Sequence, residues 1–282
     1  EFDRVVWKRC VDLNDRQLRT VNTGLSQEKN IVPRMDGFDI SVASEIMAIF
    51  CLATDINDLK RRIGNIIVGY TKDNKPITAK DLKADGAMTV LLKDAINPNL
   101  VQSLEQTPAI VHGGPFANIA HGCNSVIATK LALKLGEYVI TEAGFGADLG
   151  AEKFLDIKCR KANLKPDAVV CVATIKALKY HGGMPKEDIK NESVEYLAKG
   201  FENLERHVDN LKNNYGLNVI VAINKYTHDT ENEIKFLQNK LQEKGINLSL
   251  VESWEKGGEG AIDLAQKIVD LAQVPTNFKF AY

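Results

Sequence analysis

Apolar positions in the second half of the chain alternate between two patterns. Short continuous runs are typical of strands buried on both faces of a sheet, and three- or four-residue spacing predicts helices. The runs are 108–111, 138–141, 168–173, 218–224 and 247–252. The predicted helices are 124–135, 174–180, 194–212, 230–244 and 261–271. This alternation predicts an α/β fold with a mostly parallel sheet flanked by helices, similar to P-loop NTPase or Rossmann folds.

The spacing changes toward the start of the chain. Residues 1–100 show mostly helical spacing, and the stretch 11–21 is charged and amphipathic. We therefore expect a mainly helical N-terminal part. The change of pattern places a domain boundary at about residue 105, which gives the domains 1–105 and 106–282.

The composition narrows the classes of function. Lys and Arg number 36 and Asp and Glu 37, so no basic excess indicates a nucleic-acid partner. The apolar runs are too short to span a membrane and no signal-peptide pattern opens the chain, so we expect a cytoplasmic protein without membrane contact. The cysteines are isolated, lack metal-ligand spacing and favour reduced thiols. They are Cys10, Cys51, Cys123, Cys159 and Cys171, with Cys51 and Cys171 predicted to be core residues.

A first glycine loop, VHGGPFANIAHGCNS, follows the predicted strand 108–111. Gly113 and Gly114 allow a sharp turn with free N–H groups, and the next helix presents an N-terminus that attracts anions. His112 and His121 are able to donate to a phosphate or to move a proton. Phosphate or carboxylate binding, a metal site built on the two histidines, and a plain tight turn all stay open.

A second glycine loop, EAGFGADLG, has the spacing G-x-G-x-x-x-G after a predicted strand, as in dinucleotide-binding folds. The next strand ends in Thr174 instead of an acidic residue, so the match is poor. Glu142 and Asp148 could hold Mg²⁺ at a nucleotide phosphate, or could simply cap a helix or pair with a cation. Phe145 is unusual as a core residue between two glycines, and its ring could form a flat ligand face.

Two later loops follow neighbouring predicted strands, and each contains an aromatic residue. Tyr226 lies in NKYTHDT, which resembles the base-binding loop of GTP-binding proteins but lacks an acid two residues after the lysine. Trp254 lies in ESWEKGGEG. Because the carboxyl ends of parallel strands meet at one edge of a sheet, the two rings could enclose a planar heterocycle. Either ring could also be a core or rim aromatic.

Five long stretches resemble formate–tetrahydrofolate ligase, also called 10-formyltetrahydrofolate synthetase. They are PRMDGFDISVASEIMAIFCLA, KADGAMTVLLKDAINPNLVQ, TPAIVHGGPFANIAHGCNSVIATK, YVITEAGFGADLGAEKF and ATIKALKYHGG. The resemblance implies a one-carbon-metabolism ligase whose substrates are ATP with Mg²⁺, formate and tetrahydrofolate. Formate attacks the γ-phosphate to give formyl phosphate, and the folate amine then attacks the formyl carbon. The resemblance also implies a monovalent cation (K⁺ or NH₄⁺) and a homotetramer.

The resemblance assigns roles to individual residues. The residues matching the folate and formyl phosphate pocket are Gly144, Phe145, Tyr226, Thr227 and Trp254, so 106–282 is expected to be the folate-binding domain. Tyr226 replaces a usual phenylalanine and Thr227 a usual proline, so stacking should survive while the loop loses a rigid φ. The candidate catalytic residues are His112 and Glu142, with no proton transfer assigned. The candidate phosphate- or nucleotide-binding residues are Gly113, Gly114, Asn118, Gly257 and Gly258.

Parts of the family pattern are missing from the chain. The family's P-loop lysine and an arginine that contacts the transferred phosphoryl group precede the first residue here, and its members continue beyond NFKFAY. We therefore expect an internal piece of the enzyme that is inactive by itself, since positioning and charge supply most of the catalysis of phosphoryl transfer. The alternatives are a non-catalytic folate- or nucleotide-binding module and an NAD(P)-binding protein built on the second glycine loop.

Overall fold

A computed structural model describes residues 2–26 and 28–282. The chain divides into two compact units, Glu1–Ala162 and Asn163–Tyr282, and each is described by itself. Residue 105 falls inside the first unit, in the turn between two paired strands. The separation of 1–105 from 106–282 as domains stays a prediction.

The first unit is built from strands of two to five residues. They are β1 (Phe2–Val5), β2 (Arg9–Cys10), β3 (Val21–Thr23), β4 (Arg34–Asp36), β5 (Phe38–Asp39), β6 (Ile67–Thr71), β7 (Pro76–Thr78), β8 (Asn99–Gln102) and β9 (Pro108–Val111). β6 pairs antiparallel with β1 and β7, and β3–β4 and β8–β9 are antiparallel pairs, while β2 and β5 are parallel. The prediction of a mainly helical N-terminal part is wrong. Strands this short leave no room for a two-residue period to appear in the sequence.

The described part of the first unit contains five α-helices, and the first two form a hydrophobic core with β6. The helices are α1 (Glu45–Leu52), α2 (Ile56–Gly64), α3 (Asp85–Leu91), α4 (Val126–Leu135) and α5 (Arg160–Ala162), the last preceded by wide π-type turns at Ala147–Ala151 and Phe154–Cys159. Side-chain oxygens of Ser44 and Asp55 cap α1 and α2. Phe50, Leu59 and Ile63 are buried in this core. Cys51 is fully buried there, as predicted.

Two predicted elements of the first unit do not form. Residues 11–21 contain a 3₁₀ turn at Arg16–Arg19, capped by Asp15, in place of an amphipathic helix. Residues 138–141 form no strand, and the side chain of Ile140 is 87% exposed. The apolar residues of this segment therefore do not form the buried strand that was predicted.

The second unit confirms the predicted parallel α/β arrangement. Its strands β10 (Val169–Ala173), β11 (Val219–Asn224) and β12 (Asn247–Val251) are parallel and lie in the order β10-β11-β12. Its helices are α6 (Ile175–His181), α7 (Val194–Asp209), α8 (Glu231–Glu243), α9 (Ser253–Lys256) and α10 (Ile262–Ala272). The helix predicted over 194–212 ends at Asp209 and continues as a wide turn at Asn210–Asn214. A specifically P-loop NTPase-like fold stays a prediction.

Burial differs across this sheet. The central strand β11 is buried over Val219–Ile223, whereas the edge strand β10 is only partly covered. Val172 is 64% exposed and Cys171 is half-buried, so the prediction of Cys171 as a core residue is wrong. Within the described ranges, no helix combines the length and apolar character needed to cross a membrane.

Candidate functional site

The two glycine loops of the first unit pack against each other through their backbones. The Gly144 N–H donates to the Gly122 carbonyl oxygen over 3.0 Å. Gly122 has a φ of +62°, and a Cβ there would lie 2.2 Å from the Cβ of Ala117, so the contact requires glycine. The loops 112–124 and 142–150 therefore form one surface region, although only the first loop follows a strand.

His112, a candidate catalytic residue, is buried with hydrogen-bond partners at both ring nitrogens. Nε2 lies 2.8 Å from the Ala95 carbonyl oxygen, and Nδ1 lies 2.6 Å from the Ser125 hydroxyl. Because a carbonyl oxygen only accepts, Nε2 carries the hydrogen of the neutral ring and Nδ1 accepts from Ser125. Ser125 Oγ in turn accepts from the Ala128 N–H over 2.9 Å and caps α4. Proton transfer at His112 would break one of these bonds, and its catalytic role stays a prediction.

The glycines after His112 are held against a buried thiol. Gly113 has a φ of +73°, and a Cβ there would lie 2.2 Å from Cys51 Sγ. Burial raises the pKa of the Cys51 thiol to about 12, and the backbone N–H of Gly114 acts in the opposite direction. Asn118 is exposed further along the loop. Phosphate binding by Gly113, Gly114 and Asn118 stays a prediction.

The acidic residues of the second loop, Glu142 and Asp148, are both exposed. In the part of the chain that the structure describes, no group of three or more His, Cys, Asp or Glu side chains is placed to hold a metal ion. Catalysis by Glu142 and Mg²⁺ binding by Asp148 stay predictions.

The second glycine loop lacks the surroundings of a dinucleotide site. Such a site needs a strand before the loop and a helix N-terminus after it. Residues 138–141 form no strand, and a π-type turn at Ala147–Ala151 follows the loop. The structure therefore gives no support to the NAD(P)-binding alternative.

Phe145 combines an unusual backbone with an exposed ring. Its φ is +64°, in the left-handed region that disfavours side chains, and its side chain is 74% exposed. An exposed ring on a strained backbone does not stabilise the hydrophobic core. Strained residues of this kind cluster at functional sites. The geometry thus supports a ligand-facing use of this ring.

Lys158, which the sequence analysis did not single out, lies fully buried beneath the loops. Its Nζ donates to Asn124 Oδ1 over 3.0 Å and to Thr129 Oγ1 over 2.9 Å, and no carboxylate pairs with it among residues 2–26 and 28–282. Burial lowers the pKa of Lys158, and the nearby thiols act weakly in the opposite direction. Lys158 lies three residues after buried Leu155 and four residues before buried Ala162. This helical spacing is the sequence feature that could have predicted its burial.

His121, predicted as a phosphate donor or proton carrier, is 1% exposed. Neither of its ring nitrogens has a hydrogen-bond partner within the described structure. Burial, together with the charges of Lys158 and Lys153, lowers the pKa of His121 to about 4. His121 is therefore a neutral side chain at pH 7.

Tyr226 and Trp254 follow neighbouring strands of the second unit. Asn224 at the end of β11 is paired with Val251 at the end of β12, and the Lys225 N–H donates to the Val251 carbonyl oxygen over 3.0 Å. Tyr226 is 48% exposed and Trp254 80% exposed. The parallel sheet therefore brings both predicted aromatic residues to the same edge, with their rings uncovered.

An ion-pair network joins these two loops and was not predicted. Glu252 accepts from Lys225 Nζ over 2.7 Å and from Lys256 Nζ over 2.6 Å. These hydrogen bonds lower the pKa of Glu252 to about 2. Asp229 Oδ2 accepts from the Tyr226 N–H over 2.8 Å. This carboxylate therefore stabilises the turn of the loop NKYTHDT.

The remaining predicted residues of this edge are Thr227, Gly257 and Gly258, and all are exposed. Gly257 has a φ of +61° at the end of α9, a conformation that suits glycine. Their predicted contacts with folate or phosphate stay predictions.

The fold and these loops define an α/β protein with exposed rings at the carboxyl edge of a parallel sheet, where ligands of such folds bind. Comparison with protein families identifies the family of the chain. The family model for formate–tetrahydrofolate ligase matches residues 1–282. The chain belongs to the formate–tetrahydrofolate ligase family, which confirms the resemblance. This is a family of ligases in one-carbon metabolism that use ATP, formate and tetrahydrofolate.

Proposed function

We propose that the chain carries the folate-binding part of a ligase that joins formate to tetrahydrofolate. In this reaction the formate oxygen attacks the γ-phosphorus of ATP and ADP leaves. The folate amine then attacks the carbonyl carbon of formyl phosphate, and phosphate leaves to give 10-formyltetrahydrofolate. Family membership supports the reaction, and the paired rings at the sheet edge support the placement of the folate.

Tyr226 and Trp254 are the observation on which the folate site depends. Large aromatic side chains normally contribute to the core, yet these two lie uncovered after adjacent strands. A pterin has two flat apolar faces and polar edges. Stacking on one or both rings would cover these faces, while the charged network of Lys225, Glu252 and Lys256 offers donors and acceptors nearby.

The residues proposed for formyl phosphate and nucleotide occur in both units, with Gly257 and Gly258 in the second. Phe145 would face the one-carbon group, and the candidate phosphate loop contains Gly113, Gly114 and Asn118. The finer proposals from the family pattern are catalysis by His112 and Glu142, Mg²⁺ on Asp148, a K⁺ or NH₄⁺ ion, a homotetramer and a cytoplasmic location. The inactivity of the 282-residue chain by itself also stays a prediction.

Fluorescence titration tests the folate site. The chain contains only two tryptophans, so Trp7→Phe leaves Trp254 as the single tryptophan reporter. We expect tetrahydrofolate to quench this emission. In the same background Tyr226→Ala should weaken binding about 5- to 150-fold, the range for losing one stacked ring.

Tyr226→Phe is the matched control, because it keeps the ring and removes only the hydroxyl. It should bind tetrahydrofolate within about twofold of the parent. Equal affinities for Tyr226→Ala and the parent would refute the proposed stacking site.

A further inference from the structure

Glu252 lies between β12 and α9 and is bonded to residues beside both proposed stacking rings. Its carboxylate accepts from Lys225 Nζ over 2.7 Å, and Lys225 directly precedes Tyr226. It also accepts from Lys256 Nζ over 2.6 Å, and Lys256 lies two residues after Trp254. One carboxylate therefore joins the two loops that carry the rings.

The backbone of Glu252 is fixed independently of these ion pairs. Its N–H donates to the Gly260 carbonyl oxygen over 3.0 Å, and its own carbonyl oxygen accepts from the Lys256 N–H over 3.0 Å. A Cβ at Gly260 would lie 2.5 Å from the Glu252 carbonyl oxygen, so this close approach requires glycine. A change confined to the Glu252 side chain therefore removes the two ion pairs and leaves the backbone bonds in place.

The separation of the two rings decides whether a flat ligand fits between them. The neighbouring strands β11 and β12 lie roughly 4.8 Å apart. Rings that enclose a planar ligand lie roughly 7 Å apart, since each of its faces needs a contact distance of about 3.5 Å. The loops must therefore diverge beyond the strand ends and keep that separation. The rings of Tyr226 and Trp254 are exposed, so burial does not hold them in place.

We propose that Glu252 is a positioning residue of the folate site, and the proposal rests on the proposed function described above. Held by Lys225 and by Lys256, its carboxylate sets the separation of the two rings before the pterin arrives. Preorganisation of this kind tightens binding, because the loops lose less freedom when the ligand enters. Ion pairs open to solvent add little to folding, so the effect should appear in affinity and not in stability.

A double-variant cycle tests the positioning role, with the affinity for tetrahydrofolate measured by isothermal titration of the full chain. Glu252→Gln keeps the shape of the side chain and removes its charge. It should weaken binding about two- to fivefold, the range for an exposed ion pair. In the Tyr226→Ala background the same substitution should change the affinity by less than about 1.5-fold, because the separation of two rings no longer matters when one is absent.

Substitutions of Lys225 separate charge from packing. Lys225→Gln should weaken binding as Glu252→Gln does, whereas Lys225→Arg keeps the charge and should recover most of the lost affinity. Urea denaturation of Glu252→Gln should give the midpoint of the parent. A midpoint that falls in step with the affinity would assign the effect to the fold and overturn the proposal.

Glu205→Gln is the matched control, because it removes an ion pair of the same kind from the opposite edge of the sheet. Glu205 lies 2.6 Å from Lys244 Nζ, and Lys244 follows α8 and precedes β12. This variant should bind tetrahydrofolate as the parent does.

Unchanged affinity in Glu252→Gln, or an equal loss in the Tyr226→Ala background, would overturn the positioning role and leave the stacking site intact. Equal weakening by Lys225→Gln and Lys225→Arg would also overturn it, by assigning the effect to packing. A failure of the parent to bind tetrahydrofolate would refute the proposed function itself, and the positioning role with it.

Discussion

The two units differ in how their polar side chains are used. In the first unit His112, Ser125 and Lys158 are buried and hydrogen-bonded to other groups of the protein. In the second unit the rings of Tyr226 and Trp254 lie at the sheet edge with their surfaces exposed. The candidate residue His112 thus also helps to hold the loops of the first unit together, whereas the rings of Tyr226 and Trp254 stay uncovered. Substitutions should therefore affect mainly stability in the first unit and mainly affinity in the second.

Among the described residues each unit buries one lysine, and the two lysines have different surroundings. Lys179 in the second unit is 2.9 Å from Glu233, which is itself fully buried, and donates to the Asn191 carbonyl oxygen over 2.8 Å. Lys158 in the first unit donates only to the neutral oxygens of Asn124 and Thr129. These two lysines make the sharpest test of the comparison.

Lys179→Met should have the largest effect, a loss of about 3–5 kcal/mol in the free energy of unfolding, because it leaves the Glu233 carboxylate buried without its cation. Lys158→Met should change this free energy by about 1 kcal/mol or less, or increase it. It removes a buried charge that has no counter-charge, and Asn124 Oδ1 still accepts from the Thr129 hydroxyl over 2.8 Å. Urea denaturation followed by circular dichroism measures both.

The double variant Lys179→Met/Glu233→Gln is the control for the first of these substitutions. It removes both charges, keeps one of the oxygens that accept from the Ser193 and Thr230 N–H groups, and should recover part of the lost stability. A cost for Lys158→Met as large as that for Lys179→Met would show that Lys158 has a partner and would break the comparison.

The second unit was largely predictable because the burial of its strands and helices determines the spacing of apolar residues along the sequence. β11 is buried from Val219 to Ile223 and appears as a continuous apolar run. The parallel arrangement then placed Tyr226 and Trp254 at one edge without further information. The charged network around Glu252 depends on side-chain directions, which spacing along the chain does not encode.

The first unit was predicted less well because hydrogen bonds of loops and caps define it. Ser44 fixes the start of α1, and Asp15 caps a single turn where a helix was expected. The contact between Gly122 and Gly144 joins two loops 22 residues apart, and only the backbone takes part in it. The apolar run 138–141 matched a strand in composition, but within the described residues it is not paired as a strand.

His121→Phe should produce the next largest effect, and only in acid. The pKa of His121 is about 4 in the folded protein and about 6.5 in the unfolded chain. As the pH falls from 6.5 to 4, the unfolded chain binds the proton first, so the folded state loses stability. The loss attributable to His121 is complete below pH 4 and amounts to about 3 kcal/mol.

Free energies of unfolding at pH 7.5, 5.5 and 4.5 test this. The parent should lose more stability than His121→Phe over this range, and the phenylalanine should be tolerated at pH 7.5 because the ring replaces two unpaired buried nitrogens. An unchanged acid dependence in His121→Phe would show that His121 is protonated inside the folded protein.

The smallest expected effect separates the ring of Phe145 from its backbone. Phe145→Ala and Phe145→Gly both remove an exposed ring, but only glycine removes the cost of a φ of +64°. Phe145→Gly should therefore be more stable than Phe145→Ala by about 1 kcal/mol, measured by urea denaturation. Ala198→Gly, at an exposed position within α7, should have the opposite sign and lose about 1 kcal/mol. If Phe145→Gly is instead the less stable of the two, the left-handed conformation costs nothing, and exposure of the ring alone would support a functional use of Phe145.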